Sequence, residues 1–350
     1  MKKVIVTGGT GFLGKHLADS LIEKGYSVVS YDFRPPVEKQ DGAEFILGDI
    51  RNYNSVAKAV EGCDVVFHLA AIPSIARAKY KAYYDINVLG TENVLRAARE
   101  FGATNFVHVS SSTVYGIPKK FPLTEDDTVE NVGNYGRSKI DAENLCYRYA
   151  SKELNISIIR PRVIMGAGRI GIFSILFDAI ISNKPVFLIG KGNNIFQFTG
   201  IKDMVGAIVL ASEHNKPGCF NIGSKDKTVV RDVMKGLIGY AGSSSKIIPI
   251  PAFIVRSALK VASYLRISPL INEQYMIADK DFMLDTSKAE KELGWIPIQT
   301  NLGCLVEAFD WYKENRRGIK RQFLNIFGVL GRFKHSQQGG FQDSDKGMPI

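Results

Sequence analysis

Tyr135 and Lys139 stand four residues apart in Asn134-Tyr135-Gly136-Arg137-Ser138-Lys139, ahead of Leu145, Tyr149 and Leu154 on a repeating face. The spacing predicts one helix with the phenol and the ammonium on the same side. A phenol so placed can exchange a proton with a substrate hydroxyl. An opposite charge within ~4–6 Å moves a pKa by about 1–3 units, whereas bringing a phenol from ~10 toward 7 takes about 4 kcal/mol. A second nearby cation would supply the difference. Ser110-Ser111-Ser112-Thr113 follows the apolar run Asn105-Phe106-Val107-His108-Val109 and crowds hydroxyls at its end. Turn chemistry is the commoner meaning of such a cluster, and hydrogen bonding to a substrate is the other.

The element that would bring a second cation lies at the start of the chain. Lys3-Val4-Ile5-Val6 reads as a strand, Thr7-Gly8-Gly9-Thr10-Gly11-Phe12-Leu13-Gly14 as a glycine turn, and His16 to Ile22 as a helix. Glycines at 8, 11 and 14 permit a tight turn, close approach to a diphosphate, and packing of the helix on the sheet, with free N–H groups facing the phosphates. The second strand, Ser27-Val28-Val29-Ser30-Tyr31-Asp32, ends on an acid where a carboxylate can accept both ribose hydroxyls of an adenosine. Asp32 favours NAD over NADP, and Arg34 keeps a 2′-phosphate in view. The oxidised nicotinamide ring would then be the second cation.

Strand and helix signals alternate through the first half, which implies βα units and a parallel sheet covered on both faces. Glu44-Phe45-Ile46-Leu47 ends at Gly48-Asp49-Ile50, and Asp64 to Leu69 ends at Ala70-Ala71. In such a sheet these C-terminal edges meet ligands, so Asp49 is placed to meet the adenine amine, and Ala70 and Ala71 let the cofactor pass. His68, inside an apolar strand with no histidine at ligand spacing, reads as core. Residues 87–98 read as one long amphipathic helix. No cluster suggests a metal.

The 350 residues suffice for a sizeable core, and 45% are apolar. Cys63, Cys146, Cys219 and Cys304 form no C-x-x-C pair, so reduced thiols and a cytoplasmic location are expected. The chain runs from Met1 straight into its first strand, and no apolar run approaches a membrane span. The net charge is +10, but from Lys313 onward eight Lys or Arg stand against three acids. The charge is concentrated at the end, so the remainder is not a nucleic-acid surface.

Together these motifs resemble the extended short-chain dehydrogenase/reductase family, in its NAD-dependent epimerase/dehydratase branch. The resemblance covers roughly residues 2 to 315. It rests on Thr7-Gly8-x-x-Gly11-x-x-Gly14, Asp32, Gly48-Asp49-Ile50, His68-Leu69-Ala70-Ala71, Asn87-x-x-Gly90-Thr91, Ser110-Ser111-Ser112, Tyr135-x-x-x-Lys139 and Arg160-Pro161. It implies an α/β fold, a doubly wound parallel Rossmann sheet with a smaller C-terminal α/β substrate lobe. The NAD-binding domain would take residues 1–165 plus returning segments around 196–224, and the lobe 166–195 and 225–315. It also implies that Tyr135 is the acid/base, that Ser111 holds the substrate oxygen with Thr113 assisting, and that Lys139 binds the nicotinamide ribose and tunes Tyr135. Gly8, Gly11, Phe12, Leu13, Gly14, Asp32, Asp49, Ile50, Leu69, Ala70, Ala71 and Asn87 would complete the NAD site, and Ser74 would join Ser111 and Thr113 on the substrate. A homodimer through helices around 84–100 and 135–152 is implied too.

Departures from the family pattern narrow the chemistry. The 4,6-dehydratases carry two acids after the catalytic Ser or Thr, where this chain has Ser112 and Thr113; decarboxylases usually carry a Glu at the Thr113 position. Elimination lacks its acid and base. Hydride transfer remains, returned as in an epimerase or released as in a dehydrogenase. The leading expectation is an epimerase of a nucleotide-activated hexose. Gln197 and Phe198, where many such enzymes place an arginine for the diphosphate, weaken it and leave Lys184, Lys191 and Arg231 as anion partners. The apolar stretch 252–271 motivates the alternative, a dehydrogenase of a hydroxysteroid-like or other lipophilic alcohol; core and dimer contact are its other readings. A non-catalytic NAD-sensing protein would not need the Ser111, Tyr135 and Lys139 set. Beyond Arg317 the likeness ends: residues 316–350 read as a basic tail, expected to be disordered over 336–350. In it Phe323 to Leu330, flanked by Lys320, Arg321, Arg332 and Lys334, could lie weakly on an anionic membrane, an ordinary tail or a docked helix being the plainer reading.

Overall fold

The computed structural model describes residues 2–335 apart from 77, 131, 170, 214–216 and 265–275. The first half alternates as its periodicity requires: β1 (Lys3–Thr7), α1 (Phe12–Glu23), β2 (Ser27–Asp32), β3 (Ala43–Leu47), α2 (Tyr53–Val60) and β4 (Val65–His68). Next, α3 (Tyr80–Tyr83) runs through a π-helical stretch, Tyr84–Gly90, into α4 (Thr91–Glu100). The single helix expected from residue 87 is thus a π segment followed by an α-helix, which changes the facing of Asn87. After β5 (Asn105–Val109) come a 3₁₀ turn at Ser112–Tyr115, α5 (Asn134–Tyr149) and β6 (Asn155–Pro161). Leu154 lies beyond α5, because Ser151 Oγ accepts from the backbone amides of Glu153 and Leu154 and turns the chain toward β6.

The second half contains β7 (Val163–Met165), α6 (Phe173–Ile181), β8 (Val186–Ile189), β9 (Phe198–Gly200), α7 (Ile201–Glu213), β10 (Gly218–Ile222), α8 (Val230–Tyr240), β11 (Ile247–Ile250), α9 (Ala252–Tyr264), α10 (Ser287–Leu293) and α11 (Asn301–His335). Seven strands form one parallel sheet in the order β10-β6-β5-β4-β1-β2-β3. Two short parallel pairs, β8 with β11 and β7 with β9, belong to the second half.

Each face of the large sheet has its own core. Val4, Val6, Val28 and Phe67 pack with Leu17 and Leu21 of α1 and Met204 and Ile208 of α7. Ile5, Val29, Val66 and Phe106 pack with Val56, Leu95 and Leu145 from α2, α4 and α5. Alternate residues of one strand therefore serve opposite faces, as the doubly covered sheet demands. A third core joins Phe177 of α6, Leu237 of α8 and Phe309 of α11. The join is fixed by Asp203, whose carboxylate accepts from the amides of Ile298 and Gln299 and whose carbonyl accepts from Trp295 Nε1.

The strand order reverses between β1 and β4, which opens a crevice at the C-terminal ends of the strands. The glycine turn, Asp32, Ala70 and Ser110 all follow strand ends on that edge. Among the described residues, no helix is long and apolar enough to cross a membrane. Helix α11 carries the chain to His335, tied to α6 by Arg316 Nε on Asp178 Oδ1 at 2.5 Å. The expectation for residues 336–350 lies outside the described residues.

Candidate active site

The glycine turn is shaped by what its glycines cannot carry. A Cβ on Gly14 would lie 2.1 Å from the Gly8 carbonyl oxygen, and one on Gly9 would lie 2.2 Å from Ser30 Oγ. Gly8 has φ +73° and would press a Cβ to 2.9 Å from the Ala70 amide nitrogen. Gly11 meets only the Gly8 carbonyl, at 3.1 Å, so its outer side is left for a ligand. Helix α1 begins at Phe12 with Gly11 as N-cap, no side-chain cap and no acid in its first turn. Its amides at Phe12 and Leu13 are therefore not spent on a capping side chain and suit a diphosphate.

Asp32 is buried at the end of β2; its carboxylate accepts from the Thr10 amide at 3.2 Å and the Arg34 amide at 3.3 Å. It stands beside the glycine turn, as ribose recognition requires. Ala70 donates its amide to Thr7 Oγ1 at 3.4 Å, and Leu69 donates to the Thr7 carbonyl at 3.1 Å, so this strand end lies against the same turn. Thr7 Oγ1 and Thr91 Oγ1 clamp His68 Nδ1 and Nε2 at 2.7 and 2.9 Å, and burial pushes this imidazole down to about 3. It is a neutral core histidine.

Two of the expected cofactor residues have their polar groups engaged within the chain. Asp49 forms a forked ion pair with Arg51, at 2.6 Å to Nη2; burial alone would raise its pKa, but Arg51 holds it low. Asn87 is buried, accepts from the Ile72 amide at 2.7 Å and donates to Ser138 Oγ at 3.0 Å. It thus links the loop after β4 to α5. Ile50 packs beneath Gly90, where a Cβ would lie 2.6 Å from its Cδ1. Ser74 opens a short 3₁₀ turn whose Ser74 carbonyl accepts from Tyr83 OH at 3.1 Å.

The residues expected to react converge from two neighbouring elements. Ser111 caps the 3₁₀ turn after β5, accepting from the Thr113 amide at 3.2 Å and from Thr113 Oγ1 at 3.0 Å. Both hydroxyls expected to touch substrate are thus one hydrogen-bonded pair. Lys139 on α5 is buried and donates to the Val109 carbonyl at 2.9 Å, which anchors it to the strand leading to Ser111. Burial lowers its pKa to about 8, against the raising influence of Glu143 and Cys146. Tyr135 is half-buried, its ring centroid 6.0 Å from that of Tyr83 in an edge-on contact.

Glu143, one turn beyond Lys139, sets the frame. It takes a forked contact from Arg160 of β6, Nε at 3.0 Å and Nη2 at 2.6 Å, and accepts from Ser110 Oγ at 2.5 Å. Arg160 Nη1 donates to Tyr115 OH at 2.9 Å, and that hydroxyl donates to Asn221 of β10 at 2.8 Å. One buried network therefore fixes α5, β5, β6 and β10 around the hydroxyl cluster.

Two residues, Arg169 and Arg162, escaped sequence reasoning, and a third, Gln197, has a use the sequence did not disclose. Arg169, in Gly166-Ala167-Gly168-Arg169, lies 5.5 Å from the Phe12 ring and is close enough for an electrostatic interaction with Tyr135. The only local signal was its glycine-rich loop. Gln197 is fully buried and spent on the Ser224 carbonyl and the Leu284 backbone, so it is a cross-link. Arg162 is buried over Phe282 and Phe196. Of the apolar stretch, α9 exposes Phe253 and Ile254, at 71% and 48%, which rules out a core role for those two. Among the described residues, no group of acids, histidines and cysteines could hold a metal.

Residues 4–223 match the NAD dependent epimerase/dehydratase family, and the chain belongs to it. It is thus an enzyme of an NAD-dependent family, and the uncapped α1, the glycine cradle and Asp32 fit that cofactor. A putative UDP-glucose 4-epimerase of Methanocaldococcus jannaschii is 30% identical over 330 residues, covering 90% of this chain and 99% of the relative. The sterol-4-alpha-carboxylate 3-dehydrogenase, decarboxylating, of Mus musculus is 33% identical over 219 residues, 61% of this chain and 60% of the relative. Among solved structures, UDP-glucuronic acid 4-epimerase from Bacillus cereus in complex with UDP-glucuronic acid and NAD superposes with a TM-score of 0.73 at 26% identity, covering 89% of this chain and 99% of that one.

Proposed function

We propose that the protein epimerises a sugar, as a nucleotide-activated hexose, by removing and returning a hydride at one carbinol carbon. The observation that carries this is the hydroxyl pair Ser111–Thr113, at 3.0 Å, with Ser112 and Thr113 standing where elimination would need two acids. Ser111 and Thr113 orient the substrate oxygen, and Tyr135 takes its proton and later gives it back. Lys139 and Arg169 stabilise the phenolate formed between those events. NAD, when bound, supplies the hydride acceptor. Residues 1–165 with 196–224 would carry the cofactor, residues 166–195 with 225–315 the sugar, and the homodimer and cytoplasmic location go with this reading.

The test is interconversion of UDP-glucose and UDP-galactose by purified protein without added NAD. The reading fails if no nucleotide sugar is interconverted while an alcohol reduces added NAD stoichiometrically, seen at roughly 340 nm. That outcome would establish the second reading, a dehydrogenase of a lipophilic alcohol, which the exposed Phe253 and Ile254 and the sterol-dehydrogenase relative favour. Liposome pelleting of the full chain, lost on truncation at Gly318, would add membrane contact through the basic tail.

A further inference from the structure

Two arginines, Arg160 in β6 and Arg162 just after it, meet opposite fates. Arg160 is 3% exposed and has Glu143, Tyr115 and the Glu125 carbonyl around its guanidinium. Arg162 is 5% exposed and has no acid among the described residues that touch it. Its guanidinium carbon stands 3.7 Å from the Phe282 ring centroid and 4.5 Å from that of Phe196, and Nη1 reaches Ser112 Oγ at 3.4 Å. Nε and Nη2 have no partner among the described residues. These two nitrogens form the side-on edge of a guanidinium, the edge that takes two oxygens of a carboxylate or phosphate at once.

The residues that touch Arg162 border the substrate side. Ser112 adjoins Ser111, and Phe282 lines a small cleft together with Thr113, Gly116, Val132, Gly136 and Ile277, next to Tyr135. A buried cation without a counter-charge is costly in the free protein, and burial lowers the Arg162 pKa to about 9. An anion arriving with the substrate removes that cost. The aromatic faces hold the plane of the guanidinium, so the buried, unpartnered edge has a fixed direction.

We propose that Arg162 is an oxyanion-binding, specificity-determining residue, its Nε–Nη2 edge receiving a phosphate or carboxylate carried by the substrate. This rests on the reading of the Ser111–Thr113 cleft as the substrate site, and it would explain how a chain with Gln197 buried elsewhere holds an anionic sugar derivative.

The experiment titrates NAD-saturated protein, so that the glycine turn is filled, with inorganic pyrophosphate, malonate, UDP-glucose and UDP-glucuronic acid by calorimetry. Wild-type, Arg162→Met and Arg162→Lys proteins are compared. Arg162→Met should weaken binding about tenfold or more, the loss expected for a forked charged contact, and should not lower the melting temperature of the ligand-free protein. Loss for pyrophosphate and both UDP-sugars identifies a phosphate; loss confined to malonate and UDP-glucuronic acid identifies a carboxylate. If Arg162→Met does not fold, Arg162→Lys, which keeps charge without the fork, should show the same pattern. The proposal is overturned if the variants bind every probe as wild type does, or if wild type binds none. UDP-glucose bound equally by all three proteins, with no Arg162-dependent anion, overturns the proposal and leaves the nucleotide-sugar reading standing. Small anions bound through Arg162 while neither UDP-sugar binds does the reverse.

Discussion

Lys139 Nζ donates to the carbonyl oxygen of Val109 at 2.9 Å, so the ammonium on α5 is fixed to the last residue of the strand that leads to Ser111. Burial lowers this lysine from 10.5 to about 8. Below pH 8 it is charged in folded and unfolded chains alike; between about 8 and 10.5 only the unfolded chain keeps the proton, so this group makes stability rise with pH across that window. On the proposed mechanism activity moves the other way, because a phenolate at Tyr135 would lose its ammonium. The epimerisation rate should fall above pH about 8, and in Lys139→Arg the fall should move beyond pH ~10, because a guanidinium stays charged there. A kcat profile against pH checks this. An alkaline limb that stays in place in Lys139→Arg belongs to another group.

Tyr135→Phe removes the proposed proton carrier and leaves the ring edge-on to Tyr83. NAD affinity should be unchanged and turnover should drop at least about a hundredfold. Unchanged turnover would remove Tyr135 from the chemistry.

The glycines separate folding from binding. Gly14→Ala forces a Cβ to 2.1 Å from the Gly8 carbonyl oxygen and should lower the melting temperature, whereas Gly11→Ala meets nothing closer than 3.1 Å. Gly11→Ala should therefore fold nearly as wild type and lose NAD affinity. Melting curves and an NAD titration read both effects; Gly11→Ala with full NAD affinity would show that the cofactor does not approach there.

The same contrast explains what the sequence could disclose. β1, the turn and α1 are legible because period, glycine placement and helix start are local properties, and Tyr135 and Lys139 are legible because helix spacing brings them together. Arg162 is not, since its neighbours Ser112 and Phe282 lie 50 and 120 residues away along the chain. Arg169 lies on a loop, and only the tertiary fold carries it to Phe12 and Tyr135. Gln197 stood at a position read for its chemistry, and burial against Leu284 gave it a structural use instead. Helix signals at 87–98 could not reveal the π-helical stretch Tyr84–Gly90, because seven residues are too few to tell a π period from an α period.

Asp32 tests the cofactor assignment. Its carboxylate is held by two backbone amides at 3.2 and 3.3 Å, which fixes it at the strand end without occupying all its acceptor sites. Hydrogen bonds to a charged group contribute roughly 1.5–3 kcal/mol, so Asp32→Ala should weaken NAD about 10- to 100-fold and narrow the preference over NADP. Equal NAD affinity in the variant would locate the ribose elsewhere.

Glu143 and Arg160 carry the last prediction. The pair is buried, contacts at 2.6 and 3.0 Å, and it joins the helix of Lys139 to β6 while Ser110 and Tyr115 satisfy the remaining polar atoms. Removing one partner leaves the other charge buried, so Glu143→Ala or Arg160→Ala alone should cost about 3–5 kcal/mol in urea unfolding. Glu143→Leu with Arg160→Met removes both charges and should recover part of that loss. Because Glu143 raises the pKa that burial has lowered at Lys139, the double variant should also bring the alkaline fall in activity below pH about 8. A recovered stability with an unmoved pH profile would confine the pair to holding the fold; a single-site loss under about 1 kcal/mol would mean that water reaches the pair and screens it.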